Sequence, residues 1–419
     1  MNKKNQEDSK TLTEHFFRTE YGKMVSVITK YLGTENIETA EDIVQETLLK
    51  AVDYWQHHGI PDHPKAWLYT TAKNLTINIL KRRKQHWKFK TIQQNKIQIE
   101  NLEISESLIS DEQLKMMFVC CHPSISKKSQ ITLILKILCG FSISEIASAF
   151  FTSNETINKR LVRGRRQLRE NYIDFYSPQH INDNLPVVLK IIYLIFNEGY
   201  SPTQKNELIR YDLCLESIRL CKILVSSSII DNKFDCYALL ALMYLNASRF
   251  NSRMNSANEI VEMDMQDRSR WDQELINSGI YYLNKATEKK QLSEYLILAT
   301  ISANHCIAPS FDKTNWKEIL SLYNALIELN KTPVALLNRS IALSKVKGSN
   351  SAILELEKLA SQTDIAKNHL FHATLSEFYK KENLIQKAII SLREAIKLSK
   401  NKRDTALLEK KLKGLVPIS

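Results

Sequence analysis

Ser142-Ile143-Ser144-Glu145-Ile146-Ala147 opens a short helix, and Ser153-Asn154-Glu155-Thr156-Ile157-Asn158-Lys159-Arg160-Leu161-Val162-Arg163-Gly164-Arg165-Arg166 opens a second one after a tight turn. Ser142 with Glu145 three residues on is a capping box, in which side chain and backbone satisfy each other's free N–H groups. Ile143, Ile146 and Ala147 give the first helix its apolar face, and Phe150 and Phe151 close it. Thr152-Ser153 breaks the pattern, and Ser153 is a good N-cap for a helix from Asn154 to about Glu170. At 100° per residue Ile157, Leu161, Gly164 and Leu168 share one face, while Glu155, Lys159, Val162, Arg163 and Arg166 share the opposite one. A short helix, a turn and a second helix with a cationic outer face match a reader of the DNA major groove. Glu155, Thr156 and Lys159, early in that helix, are placed to approach base edges; the later arginines are placed to hold phosphates.

The surrounding charge has the same logic. The 419 residues carry a formal net charge of +12, which favours a polyanionic partner. The cations are clustered: Lys81, Arg82, Arg83, Lys84, Lys88 and Lys90 form one block, and Lys159, Arg160, Arg163, Arg165, Arg166 and Arg169 another. From Glu35 to Asp62 the balance reverses, with seven acids against the single base Lys50. An acidic patch ahead of a basic one points to two different partners, although either cluster alone also fits a solvated helix face. Nine Gly and nine Pro are too few for a turn-rich β architecture, so the expected fold class is all-α. The blocks are expected at 11–90 and 112–175, with a polar linker at 91–111. After a second boundary near Pro178, helix follows helix over 185–419.

The two-helix segment resembles region 4 of extracytoplasmic-function sigma factors, the group IV branch of the sigma-70 family, whose second helix reads the minus-35 promoter element. The commonest form of that pattern has Gly at the place of Glu155 and Ala at the place of Gly164. Ala40-Glu41-Asp42-Ile43-Val44-Gln45-Glu46-Thr47-Leu48-Leu49-Lys50-Ala51 resembles the region 2 helix that the family docks on core RNA polymerase. Ile43, Val44, Thr47, Leu48 and Ala51 can pack inward and leave Glu41, Asp42, Gln45 and Glu46 on an anionic face, which suits a basic protein surface and repels DNA. Pro64-Lys65-Ala66-Trp67-Leu68-Tyr69-Thr70-Thr71-Ala72-Lys73-Asn74, running into Ile79-Leu80-Lys81-Arg82-Arg83-Lys84, resembles the region that opens and holds the minus-10 element. Single-strand capture needs cations for the backbone and aromatic faces or pockets for bases; Lys73, Asn74, Lys81, Arg82 and Arg83 are the candidates, with 56–63 as the loop beside the captured base and Trp67 as a core anchor. The resemblance implies contacts with the β′ clamp and β flap of the polymerase, duplex promoter DNA and the melted minus-10 strand. It implies no further sigma domain between the two blocks.

Phe118-Val119-Cys120-Cys121-His122-Pro123, Tyr193-Leu194-Ile195-Phe196-Asn197-Glu198-Gly199-Tyr200-Ser201 and Gln266-Asp267-Arg268-Ser269-Arg270-Trp271-Asp272 resemble a subgroup with a tetratricopeptide-like C-terminal extension that regulates activity or binds a partner. Tyr379, Ala388, Leu392 and Ala395 sit at tetratricopeptide spacings, and Ala352, Leu356 and Leu359 repeat the pattern less cleanly. Glu198, Tyr200, Asp267, Arg268, Arg270 and Trp271 are candidates for a groove that takes a protein or small ligand. The same residues also fit an Arg–Asp network with a capped helix beginning at Ser269. Adjacent Cys120 and Cys121 with one His lack zinc-ligand spacing and read as a buried helix end; Cys214, Cys221 and His305 read as core residues. No metal, cofactor or catalytic constellation is called for: phosphate loops, nucleophile elbows and paired zinc motifs are absent. An amino terminus without an apolar signal segment, apolar runs too short to span a bilayer, and unpaired cysteines imply a cytoplasmic protein without a membrane partner. The expectation is a non-enzymatic sigma factor. A stand-alone DNA-binding regulator and a ligand-binding module in 185–419 are the rival readings.

Overall fold

The computed structural model describes residues 3–84, 105–150, 152–170, 178–201, 209–255, 261–289, 291–362, 364–399 and 402–415, and every regular element among them is helical. Lys88 and Lys90, residues 91–104 of the expected linker, Phe151, and residues 171–177 of the second boundary lie outside these ranges. The chain divides into two compact units. The first comprises residues 1–195 and 222–231, the second 196–221 and 232–419.

The first unit begins with α1 (Lys3–Leu32), α2 (Ile37–His58) and α3 (Pro64–Lys84), which pack on one another. Gly33 (φ 86°) and Gly59 (φ 82°) end α1 and α2 in a conformation that Cβ-bearing residues rarely adopt. Ile37, Ala40, Ile43, Val44, Thr47, Ala51 and Trp55 form the buried stripe of α2, at the helical spacing its sequence shows. The next helix, α4 (Glu106–Cys120), starts inside the segment expected to be linker. Ser105 explains the early start: its hydroxyl accepts from the Leu108 N–H and supplies an N-cap ahead of Ile109, Leu114 and Met117.

The chain continues through α5 (Lys127–Leu133), a π-helical turn (Ile134–Leu138), α6 (Ile143–Ala149) and α7 (Asn154–Glu170). Two glycines bring α1 against this part of the unit. A Cβ on Gly22 would lie 2.1 Å from the Leu138 carbonyl oxygen, and Gly140 (φ 68°) passes close to the Arg18 carbonyl. The blocks expected as separate domains at 11–90 and 112–175 are therefore in direct backbone contact within one unit.

In the second unit, α8 (Pro178–Tyr200) and α9 (Tyr211–Ser226) contribute their parts from Phe196 on and up to Cys221. There follow α10 (Phe234–Ala247), α11 (Gln273–Thr287), α12 (Glu294–Ile307), α13 (Trp316–Leu329), α14 (Pro333–Lys347), α15 (Ser349–Gln362), α16 (His369–Lys381), α17 (Ile385–Leu398) and α18 (Lys402–Lys413). From α13 on, each helix packs on its predecessor. Ala352, Leu356, Ala388, Leu392 and Ala395 all lie in the interhelical core, where small residues let neighbouring helices approach. Gly279 does the same between α11 and α10, since a Cβ there would lie 2.6 Å from Leu245 Cγ and 3.3 Å from the Ala241 carbonyl. Gly279→Ala is therefore expected to destabilise the extension by about 1–3 kcal/mol, measured as a lowered urea midpoint of the full-length chain.

Candidate nucleic-acid interface

Helices α6 and α7 follow each other closely in the chain, where a helix-turn-helix is expected. Ser142 accepts from the Glu145 N–H, and Glu145 accepts from the Ser142 N–H at 2.7 Å, completing the capping box. Burial would raise the Glu145 carboxyl; the Ser142 N–H and hydroxyl, with Arg18 ion-paired to it, outweigh burial and hold it below its ordinary value. The Ser153 hydroxyl accepts from the Thr156 N–H at 3.1 Å and starts α7. Ile157, Leu161, Gly164 and Leu168 are buried, and the missing Cβ of Gly164 admits the Leu133 side chain. Glu155, Lys159, Val162, Arg163 and Arg166 are exposed along the opposite face, with Thr156 and Arg160 half-buried at its flanks. Lys159 pairs with Glu155 at 2.6 Å and Arg166 with Glu170 at 2.7 Å, both one helical turn apart. Such exposed pairs are weak enough for a phosphate to displace the carboxylate. Arg163 has no acidic partner among the described residues.

On α2, Asp42, Gln45 and Glu46 are exposed, with Glu46 paired to Lys50 at 3.0 Å. Glu41 departs from the expected exposed face and is only 3% accessible. Its carboxylate accepts from the Tyr21 hydroxyl at 3.2 Å and from the Arg165 guanidinium of α7. Burial pushes its carboxyl up, against the pull of Arg165 and Lys136. The reason is tertiary: Arg165 and Arg169 lie on the flank of α7 that faces the start of α2, where Glu38 also pairs with Arg169 at 2.9 Å.

Helix α3 carries Lys73, Asn74, Lys81, Arg82 and Arg83. Asn74, Lys81 and Arg82 are exposed and Lys73 is half-buried. Lys73 lines an open concavity of about 590 Å³ together with Asp62, His63, Lys65, Tyr69 and Glu106. Trp67, expected in the core, is half-buried; Trp55 is the buried tryptophan, edge-on to Trp67 with ring centres 5.9 Å apart. Tyr54 stacks between Trp67 (5.6 Å) and His58 (4.3 Å), which forms an aromatic shelf at the α2–α3 corner. Tyr54 and His58 were not singled out from the sequence, although their spacing of four residues at a helix end carried the signal.

In the extension, Trp271 is buried, and two guanidinium groups lie over its ring, Arg268 at 4.6 Å and Arg249 at 5.3 Å from the centre. Arg268 donates to the carbonyls of His305 and Ala308 at the end of α12, a site that the helix dipole makes attractive to cations. Asp267 caps the 3-10 turn Arg268–Arg270, and Asp272, not Ser269, caps α11 by accepting from the Leu275 N–H at 3.0 Å. The Arg–Asp network drawn from the sequence is thus replaced by guanidinium-to-carbonyl and guanidinium-to-ring contacts. Arg270 is exposed, and Glu198 and Tyr200 are half-buried. Arg253 lies 3.8 Å over the Tyr200 ring and donates to its carbonyl. Cys120, Cys121, Cys214 and Cys221 are buried, and the described residues contain no group of three or more metal-ligating side chains. No helix among them is long and apolar enough to cross a membrane.

These features define an all-helical chain with one cationic helix face on α7 and a separate anionic one on α2. Residues 16–86 match sigma-70 region 2, and residues 184–287 match a family of unknown function (DUF6596). The chain is 30% identical over 391 residues to the uncharacterized protein R00370 of Rhizobium meliloti (strain 1021), covering 91% of this chain and 90% of that protein. It is 25% identical over 163 residues to the RNA polymerase sigma factor YlaC of Bacillus subtilis (strain 168), covering 38% of this chain and 90% of that protein. The chain belongs to the family of the Rhizobium protein, and its N-terminal part carries a sigma-70 region 2. Region 2 implies binding to core RNA polymerase and promoter DNA and a role in transcription initiation.

His305 gives the extension a pH dependence. Burial, then Arg249 and Arg268, push its imidazole down to about 4, whereas an unfolded His titrates near 6.5. As pH falls through that window the unfolded chain takes up a proton that the folded one refuses. Stability is thus intact above about pH 6.5 and falls towards pH 4, by up to about 3 kcal/mol. Urea unfolding at pH 7, 5.5 and 4.5 should record this loss, and His305→Gln should make the slope shallower.

Proposed function

We propose that the chain is an extracytoplasmic-function sigma factor with a tetratricopeptide-like C-terminal extension. Asp42, Gln45 and Glu46, joined by Glu41 when it is released, dock on the β′ clamp of core polymerase. Lys73, Asn74, Lys81, Arg82 and Arg83 hold the melted minus-10 strand, with the concavity beside Lys73 and the Tyr54–Trp67 shelf receiving unstacked bases. Helix α7 reads the minus-35 element: Glu155, Thr156 and Lys159 approach base edges, and Arg160, Arg163 and Arg166 neutralise phosphates. The β flap supports this second module, and the polymerase performs the chemistry. The extension regulates this activity or recruits a protein or small-molecule partner, with the surface near Glu198, Tyr200, Asp267, Arg268, Arg270 and Trp271 as its proposed contact. The blocks 11–90 and 112–175 are the region 2 and region 4 modules, and the cytoplasm is the compartment.

The observation that carries this reading is the co-occurrence in one chain of a sigma-70 region 2 match and a capped helix-turn-helix whose outer face is cationic. The test measures core-polymerase binding and promoter-dependent initiation by the full-length chain. Asp42→Ala/Glu46→Ala should weaken polymerase binding about tenfold or more, the scale of about 1.4 kcal/mol. Arg163→Ala/Arg166→Ala should leave polymerase binding intact, reduce minus-35-dependent initiation and lower the salt slope of DNA binding by about two. Wild-type protein that binds DNA but not polymerase would establish the stand-alone regulator instead.

A further inference from the structure

Three guanidinium groups gather in the second unit, just after α10 and just before α11, on Arg249, Arg253 and Arg268. Each lies over an aromatic ring: Arg253 over Tyr200, and Arg249 and Arg268 over Trp271. Arg249 is buried, while Arg253 and Arg268 are half-buried. No carboxylate of a described residue pairs with any of the three. The groups whose charge bears on Arg253 are Tyr200, Arg249, Cys214 and Tyr211, and those that bear on Arg268 are Cys306 and Arg249. Burial first, and then Arg249, hold the Arg253 and Arg268 guanidiniums below their ordinary value. The neighbouring His305 imidazole feels Arg249 and Arg268 in the same direction. Cations thus repel one another in a partly desolvated place, whereas buried charge in proteins normally comes with a counter-charge.

The donors of the cluster are also underused. Among the described residues, Arg249 gives only its Nε–H, to Gln266 Oε1 at 3.2 Å, and Arg253 gives only Nη1, to the Tyr200 carbonyl. Arg268 directs Nη1 at the carbonyls of His305 and Ala308, and its Nη2 is covered without an acceptor. The Trp271 indole N–H and the His305 Nδ1 are in the same condition, on side chains more than nine-tenths buried. Leaving a buried donor unmatched is costly. A guanidinium that rests flat on a ring keeps its N–H edge free for an acceptor. The rings therefore orient these donors and leave them unneutralised.

We propose that Arg249, Arg253 and Arg268, steadied by Tyr200 and Trp271, form a receptor for the phosphate group of a small molecule. A phosphate carries close to two negative charges at neutral pH and accepts from several directions at once, which suits three guanidiniums and an indole N–H. A single carboxylate brings one charge and two oxygens in one plane. Half-buried Arg253 and Arg268 form the edge by which the anion enters, and buried Arg249 and Trp271 form the floor. The site deepens the reading of the extension as a partner-binding module by giving the partner's chemistry. It is separate from the cations of α3 and α7, which belong to the first unit.

The test titrates the full-length chain by calorimetry, at constant ionic strength, with inorganic phosphate, phenyl phosphate and succinate. At least one phosphate probe should bind tenfold or more tightly than succinate, a dianion of two carboxylates, and the tighter of the two shows whether the free ion or an ester is the form preferred. Saturating phosphate should raise the urea midpoint of the wild type. Arg249→Gln should weaken phosphate at least tenfold. Without ligand it should unfold at no lower urea concentration than the wild type, because it relieves repulsion; a guanidinium needed only for structure would lower that midpoint and leave phosphate binding unchanged. Arg163→Ala/Arg166→Ala should bind phosphate as the wild type does. Phosphate binding that survives Arg249→Gln, or that is lost with Arg163 and Arg166, would overturn the site. Succinate binding as tight as phosphate would overturn the phosphate assignment and leave the extension a partner-binding module. Polymerase binding is read on the same preparation. Chain that binds polymerase but neither phosphate probe would overturn the site alone, and chain that takes phosphate but not polymerase would overturn the sigma reading and leave the site standing.

Discussion

A carboxylate buried between two helices that are more than a hundred residues apart in sequence governs the first unit. Glu41 loses its water on being covered, and its raised pKa means that this loss outweighs the attraction of Arg165 and Lys136. An ion pair in that condition adds little net stability, yet removing one partner is costly because the other stays buried and charged. It therefore specifies geometry more than it strengthens it. Fully buried apolar side chains of the same unit, among them Met24, Phe118, Leu133 and Phe141, provide the cohesion, and the Gly22–Leu138 approach fixes the register.

Local structure was largely legible in the sequence. The Ser142/Glu145 capping box, the Ser153 cap and the Ile157–Leu168 stripe each encode a helix boundary or face within one turn of chain, and all are realised. The sigma-70 assignment rested on similarly local motifs. The start of α4 was misjudged because the polar residues around Ser105 and Glu106 fit a linker and a capped first turn equally well.

The legible part ended where tertiary contact decided the outcome. On α2, Glu41 lies about 85° from the centre of the buried stripe, whereas Asp42 lies almost opposite it. On α7, Arg165 lies about 70° from its buried centre and Arg166 about 170°. Helical phase thus marks Glu41 and Arg165 as boundary residues, able to point to water or to a neighbour. Nothing local says that the two boundaries face each other. The extension obeys the same rule: the sequence placed Arg268, Trp271 and Asp272 together, but only the end of α12 supplies the carbonyls that Arg268 takes in place of a carboxylate.

A contact built on a poorly compensated buried carboxylate has a property that an apolar interface lacks. Separating an apolar interface exposes surface that water disfavours, so the cost rises with the area uncovered. Separating Glu41 from Arg165 returns two charges to water, which recovers much of their lost solvation. The position of Glu41 at the edge of its helix face is what lets this carboxylate be covered by a neighbour rather than by water.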